Sequence, residues 1–111
     1  MIGIGTHLLL DGFTNYKLSS SDLHNCVKDC ISIINLTIVL GPVFHSLERY
    51  HEVWVIVAES HINIKAFMDG TVLVDVFSCK SFDTNIVVSS INKILNLKYS
   101  TYRIINRAGT E

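Results

Sequence analysis

An acid, a hydroxyl and an imidazole stand side by side at Glu59-Ser60-His61, directly after the apolar residues 53–58 and before the alternating run Ile62-Asn63-Ile64-Lys65. The pattern predicts a buried strand that delivers three polar residues to its end or to a tight turn, then a half-buried strand leading away. A serine held there beside a carboxylate and an imidazole is a candidate nucleophile. A serine that merely ends a strand is the commoner outcome, and the three residues alone do not separate the two. Strand alternation turns the side chains of Glu59 and His61 to the face opposite Ser60, which argues against direct proton transfer between them. Cys79 follows a second strand-like run and carries a proton with a pKa near ~8.5 when unperturbed; by itself it reads more readily as a small buried hydrophobe. Cys26 and Cys30 stand one helical turn apart on an apolar face. No further ligands accompany them, so they are expected in the core and no metal site is expected.

The elements around these residues follow from local patterning. Residues 5–13 end at Asp11-Gly12 and read as a first strand. Ser19-Ser20-Ser21-Asp22 supplies an N-cap and a first-turn acid, and Leu23, Cys26, Val27, Cys30, Ile31 and Ile34 recur at helical spacing over about residues 21–34. Residues 36–43 are rich in β-branched side chains and broken by Gly41-Pro42, which predicts an edge or bent strand. The polar stretch 46–52 reads as a loop into strand 53–58. Asp69-Gly70 is a turn signal that pairs the strand after Ser60 with residues 71–77 as a hairpin. Ser81 or Asp83 can cap a second helix with an apolar stripe at Ile86, Val87, Ile91, Ile94 and Leu95. Residues 99–105 are a last strand. The expected architecture is α+β, a two-layer sandwich of two helices on a largely antiparallel sheet.

The 111 residues fit one domain, taken as 1–111. With 49% hydrophobic and 17% charged residues the chain is globular rather than disordered. The net charge of -1 and nine scattered Lys and Arg argue against a nucleic-acid surface or a membrane-binding basic patch. No apolar run approaches the ~20 residues of a membrane helix, and the amino terminus lacks a basic signal region. Three cysteines do not make a disulfide framework, so a cytoplasmic protein is expected. Strand 53–58 is apolar on both faces and needs cover on both, but two helices cover one side of a sheet. A second copy of the chain is therefore expected on the other side or on an edge, as a homodimer.

Three segments together resemble the short prokaryotic S-adenosylmethionine decarboxylases. Gly5-Thr6-His7-Leu8-Leu9-Leu10-Asp11 is similar to that family's opening motif, Ala58-Glu59-Ser60-His61-Ile62 to its processing motif, and Val74-Asp75-Val76-Phe77-Ser78-Cys79 to a third. Val43-Phe44-His45 also fits the family's Val-x-His. The segments come in the family's order and cover most of the chain. The resemblance implies a self-cleaving proenzyme. Ser60 attacks the carbonyl of Glu59, the chain divides between 59 and 60, and Ser60 becomes an amino-terminal pyruvoyl group. The substrate amine joins that ketone, carbon dioxide leaves, and the conjugated carbonyl takes up the electrons, as pyridoxal phosphate does. Cys79 reprotonates the product. Decarboxylated S-adenosylmethionine would feed spermidine synthesis.

The chain departs from the family at several places. Lys65 stands where the family has a processing histidine, and an amine serves as a base only if its pKa is lowered. Glu52 falls at or near a processing serine, and Leu47 where an adenine-stacking phenylalanine is usual. Phe67 and Asp69 replace a tryptophan and a glutamate of the nucleoside site. Phe67 could still stack on a purine or meet a sulfonium cation, and Asp69 could hold ribose hydroxyls; a plain hairpin turn with one aromatic is the other reading. The expected site is thus Ser60, Cys79 and Lys65 for chemistry, with Phe67, Asp69 and His61 on the substrate. Two alternatives stand beside it: a pyruvoyl-dependent arginine or ornithine decarboxylase, and a non-processing homologue that binds a ligand or a partner.

Overall fold

The computed structural model describes residues 5–58 and 60–106. Its elements run β1 (Thr6–Phe13), α1 (Ser20–Ile34), β2 (Ile38–Ser46), β3 (Tyr50–Val57), β4 (Ser60–Phe67), β5 (Thr71–Ser78), α2 (Thr84–Ile94) and β6 (Tyr99–Asn106). The strands form one sheet in the order β2-β3-β4-β5-β1-β6, and every neighbouring pair is antiparallel. The two helices pack on one face, which confirms the α+β sandwich.

Alternation decides which face each strand residue joins. Leu8, Leu10, Val53, Val55, Val57, Ile62, Ile64, Val72, Val74 and Val76 all turn to the helices and are buried, where they meet Leu23, Val27, Val87 and Ile91. Full burial of such a side chain contributes about 1.5–3 kcal/mol, opposed by the entropy of ordering it. Cys26 and Cys30 belong to this core at 0% exposure.

The helix ends follow local chemistry. Ser19 caps α1 with a reciprocal capping box, its hydroxyl accepting from the Asp22 N–H while Asp22 accepts from the Ser19 N–H. Asn35 closes α1 in the left-handed region at φ 64. Asp83, one of the two expected caps, accepts from the N–H groups of Asn85 and Ile86 at the start of α2.

Two expectations are corrected. Residues 46–52 are not one loop: Ser46 ends β2, Tyr50 already begins β3, and Glu52 lies buried inside the strand. Its polarity is accommodated by hydrogen bonds rather than by solvent. Ile86 leaves the α2 stripe at 52% exposure, and Val88 faces inward instead. As expected, the helices cover strand 53–58 on one side only. Trp54 and Ile56 stand exposed on the far face with Val43, Leu73 and Ile105, and among the described residues no element covers them.

Candidate active site

Ser60 opens β4, where it pairs with Val57 across the two-residue connection from β3. Its hydroxyl turns to the helix side and is nearly buried, and its Oγ accepts a hydrogen bond of 3.2 Å from the backbone N–H of Cys79. Cys79 comes to that position because β5 pairs with β4 in the register His61 to Phe77, which carries the end of β5 alongside the start of β4. The loop leaving β5 is tethered further. Lys80 donates from its N–H to Ser78 Oγ at 2.9 Å, and its Nζ donates to the carbonyl of Asn35 at the end of α1 at 2.6 Å. The two expected reacting residues, 19 positions apart in sequence, are therefore neighbours held by backbone. Glu59, expected on the other side of the bond to be cut, lies outside the described residues.

The other candidates lie elsewhere. His61 turns to the open face of the sheet, where its Nε2 is 3.5 Å from Asp75 Oδ1. Lys65 shares that face. It pairs directly with Glu52 on β3, its Nζ 3.9 Å from Glu52 Oε2 and 5.6 Å from the centre of the Tyr50 ring. Five positions of strand separate Lys65 from Ser60, about 16 Å at roughly 3.3 Å per residue, and the two side chains leave opposite faces. Within one chain Lys65 does not reach the Ser60 hydroxyl.

Glu52 is the residue that sequence patterning misplaced. His45 Nε2 lies 2.7 Å from its Oε1, and the Asn63 amide donates to its Oε2 at 2.8 Å. With Lys65 as a third partner, a buried carboxylate on a strand has its charge answered from both neighbouring strands. Only the registers of β2 with β3 and β3 with β4 bring these groups together; the alternation of Asn63 and Lys65 on β4 was the one signal the sequence held.

Phe67 and Asp69 close the far end of β4. The Phe67 ring packs against Tyr50 with centroids 5.1 Å apart. Asp69 sits in the turn to β5 and accepts from the Thr71 N–H at 2.9 Å. That backbone N–H, with help from the Thr71 side chain, holds the Asp69 carboxyl below the usual carboxylate range. Both residues line a cavity of about 470 Å³ that Asn15, Tyr16, Lys17 and His51 also border. Ser60 and Phe67 stand at opposite ends of one eight-residue strand, about 23 Å apart at roughly 3.3 Å per residue. One small molecule does not touch both within one chain.

Comparison with known proteins agrees with this architecture. A family profile described as S-adenosylmethionine decarboxylase matches residues 6–108. The solved structure of the adenosylmethionine decarboxylase from Aquifex aeolicus superposes with a TM-score of 0.80 at 20% sequence identity, covering 100% of this chain and 96% of that one. No curated protein matches the chain. At that identity the superposition establishes the shared fold.

Proposed function

The chain belongs to the S-adenosylmethionine decarboxylase family, and from that membership we propose that it is a self-processing carboxy-lyase acting on S-adenosylmethionine, with a pyruvoyl group made from Ser60. The observation that carries this reading is the hydrogen bond from the Cys79 N–H to Ser60 Oγ. It fixes the hydroxyl at the start of a strand, beside the bond that must break, and sets a thiol-bearing residue next to the same point.

Self-processing needs the Ser60 oxygen to bond to the Glu59 carbonyl carbon as the Glu59–Ser60 C–N bond breaks, giving an ester. Elimination then breaks the bond between Oγ and Cβ of Ser60 and leaves Glu59 with a free carboxylate. Water replaces the nitrogen on the Ser60 α-carbon, which becomes a ketone as ammonia departs. The surroundings fit such a group: the position is nearly closed to solvent, it is flanked by a backbone donor, and the thiol of Cys79 is free of any disulfide. When formed, the group supplies an electron sink for loss of carbon dioxide. The residues of the chain bind and orient the substrate, exclude water and, through Cys79, return a proton to the product carbon. That product is the aminopropyl donor of spermidine synthesis, which gives the reaction its place there.

The reading includes a homodimer. Phe67 and Asp69 are too far from Ser60 to share one substrate in one chain, and the uncovered face carries Val43, Trp54, Ile56, Leu73 and Ile105. Two such faces, related by a two-fold axis that crosses the strands, would bring the partner subunit's Phe67 and Asp69 to the Ser60 end of β4. The partner subunit's Lys65 would come to the same end, as a base or a positioning cation for processing in trans. It would approach the bond before Ser60 around the start of the strand, since the Ser60 hydroxyl itself turns to the helix side.

Intact-mass measurement of the purified protein tests the reading first. Fragments of residues 1–59 and 60–111 are expected, with Ser60→Ala uncut, and carbon dioxide release is expected from S-adenosylmethionine but not from arginine or ornithine. Release from arginine or ornithine alone would transfer the activity to a basic amino acid. A second reading, a chain that does not cut itself, is favoured by the Glu52–Lys65 pair standing where the family carries its processing residues; a single unbroken chain in the same measurement would establish it.

A further inference from the structure

On the open face of the sheet, away from the Ser60 hydroxyl, His7, His61 and Asp75 converge from three adjacent strands. The registers His7 to Phe77 and His61 to Phe77 set the two histidines on either side of β5, and Asp75 lies two residues back on β5, on the same face. Their Nε2, Nε2 and carboxylate atoms all lie within 4.8 Å of one another. We propose that this cluster is a binding site for a divalent first-row transition metal of the zinc or cobalt type.

A cation would take the place of the proton that joins His7 to Asp75, with those two groups drawing apart to admit it. Both imidazoles aim Nε2 at the same oxygen, Asp75 Oδ1: His7 is bonded to it, and His61 stands 3.5 Å away. That second distance is beyond an ordinary N–H···O bond of about 2.9–3.0 Å. It suits two donors around one ion, since bonds of about 2.0–2.2 Å in a tetrahedral site set neighbouring donors roughly 3.3 Å apart. The imidazole planes are 85° apart with ring centres at 6.0 Å, so each ring can direct its nitrogen inward without stacking on the other. Two imidazoles and one carboxylate select zinc, cobalt or nickel over magnesium or calcium, which prefer all-oxygen shells.

The support is rigid and partly dry. All three donors stand on strands in the middle of the sheet, none on a loop, which holds them in place before any ion arrives. Phe77 packs at 5.8 Å from both imidazoles, and Trp54 at 6.1 Å from His61. In a single chain the side chains remain 22% (His7), 36% (His61) and 35% (Asp75) exposed; because this is the face assigned above to the second copy, the fourth position falls to water or to the partner subunit. The inference is independent of self-cleavage, because all three donors are present in an uncut chain.

The test uses the full-length Ser60→Ala protein, uniform in length and stripped with a chelator. Titration with Co²⁺, read by visible absorption, and equilibrium dialysis against Zn²⁺ should each give one ion per chain, and excess Mg²⁺ should not compete. His7→Gln and Asp75→Asn should each weaken binding at least tenfold, while His24→Ala, an exposed imidazole on α1, should change nothing. Should a variant fold poorly, proton NMR of the parent protein supplies the second readout: Co²⁺ must shift the His7 and His61 ring signals before those of the other histidines. Absence of one-to-one binding, undiminished binding in both variants, or first shifts at other histidines would overturn the assignment.

Discussion

Glu52 and Lys65 face each other directly across β3 and β4, with Nζ 3.9 Å from Oε2 and the carboxylate almost fully buried. They stand at two of the positions where the sequence was expected to depart from the family pattern, and in the fold they are partners. The other Glu52 contacts, to His45 and Asn63, are shorter. The carboxylate therefore depends more on those two than on the half-exposed lysine.

Stability should divide accordingly. Glu52→Ala takes a partner from the His45 ring and from the Asn63 amide, which keeps its bond to the Val53 carbonyl, and should cost about 1–3 kcal/mol. Lys65→Ala should cost under about 1 kcal/mol, because its ammonium is partly solvated and screened. Urea unfolding of both variants measures the order; an equal loss would mean that the lysine is a full member of the buried network.

If Lys65 acts on a neighbouring copy, defects should complement. Ser60→Ala chains lack the nucleophile and Lys65→Ala chains lack the amine, so neither should cut alone. Mixed after denaturation and refolded together, about half of the Lys65→Ala chains should gain an intact lysine from a Ser60→Ala partner and be cut, by simple random pairing of equal amounts. No cutting in the mixture, with Lys65→Ala inert alone, would confine the lysine to its own chain.

Trp54→Glu should give a folded monomer. Trp54 stands on the uncovered sheet face at 44% exposure and makes no part of the helix-side core, so a charge there opposes pairing and leaves the fold intact. Analytical ultracentrifugation reads the mass and far-ultraviolet dichroism the fold; an unchanged assembly would move the interface to another surface.

Cys79→Ala should still cut, because its contact with Ser60 Oγ is made by the backbone N–H, which alanine keeps. Turnover should fall by about 10²–10⁴, the range of a lost proton donor. Unchanged turnover would remove the thiol from the reaction.

The buried thiols should behave differently from Cys79. The Cys30 hydrogen bond, then burial, hold the Cys26 thiol well above its ordinary pKa. A folded chain keeps that proton while an unfolded one loses it above about pH 8.5. Since the unfolded state then binds fewer protons, stability should decline as pH rises through that value. Cys26→Ala should flatten the decline between pH 8 and 10, and a maleimide should label Cys79 before Cys26 or Cys30 in the native protein.

Much of the framework was readable because its signals are local. Ser19 with Asp22, Asp83 and the Asp69-Gly70 turn each announce an element end through a side chain that bonds a nearby N–H. The alternation around Ile62 and Ile64 placed Ser60 and His61 on opposite faces, as found. What escaped depends on register. Glu52 looked like a loop residue because its partners, at 45, 63 and 65, become neighbours only when β2, β3 and β4 align. His7 and Asp75, 68 positions apart, carried no spacing that a metal motif would show; the period-two placement of polar residues on otherwise apolar strands was their one trace. The distance from Ser60 to Phe67 was legible in principle, since they begin and end the same strand.

The order of strands across the sheet bears on what a cut chain becomes. A break before Ser60 assigns β1, β2 and β3 to one fragment and β4, β5 and β6 to the other. Yet β3 zips to β4, and β1 lies clasped between β5 and β6. The fragments would share three ladders and one core, so neither can depart without dismantling the sheet. Each uncut chain should regain its helices and sheet at a rate independent of dilution, before it pairs with a second copy, whereas the cut protein should recover even that much only by a second-order reaction that slows as it is diluted. Cleavage would thus be an act performed once, after folding, on a chain that cannot readily fold the same way again.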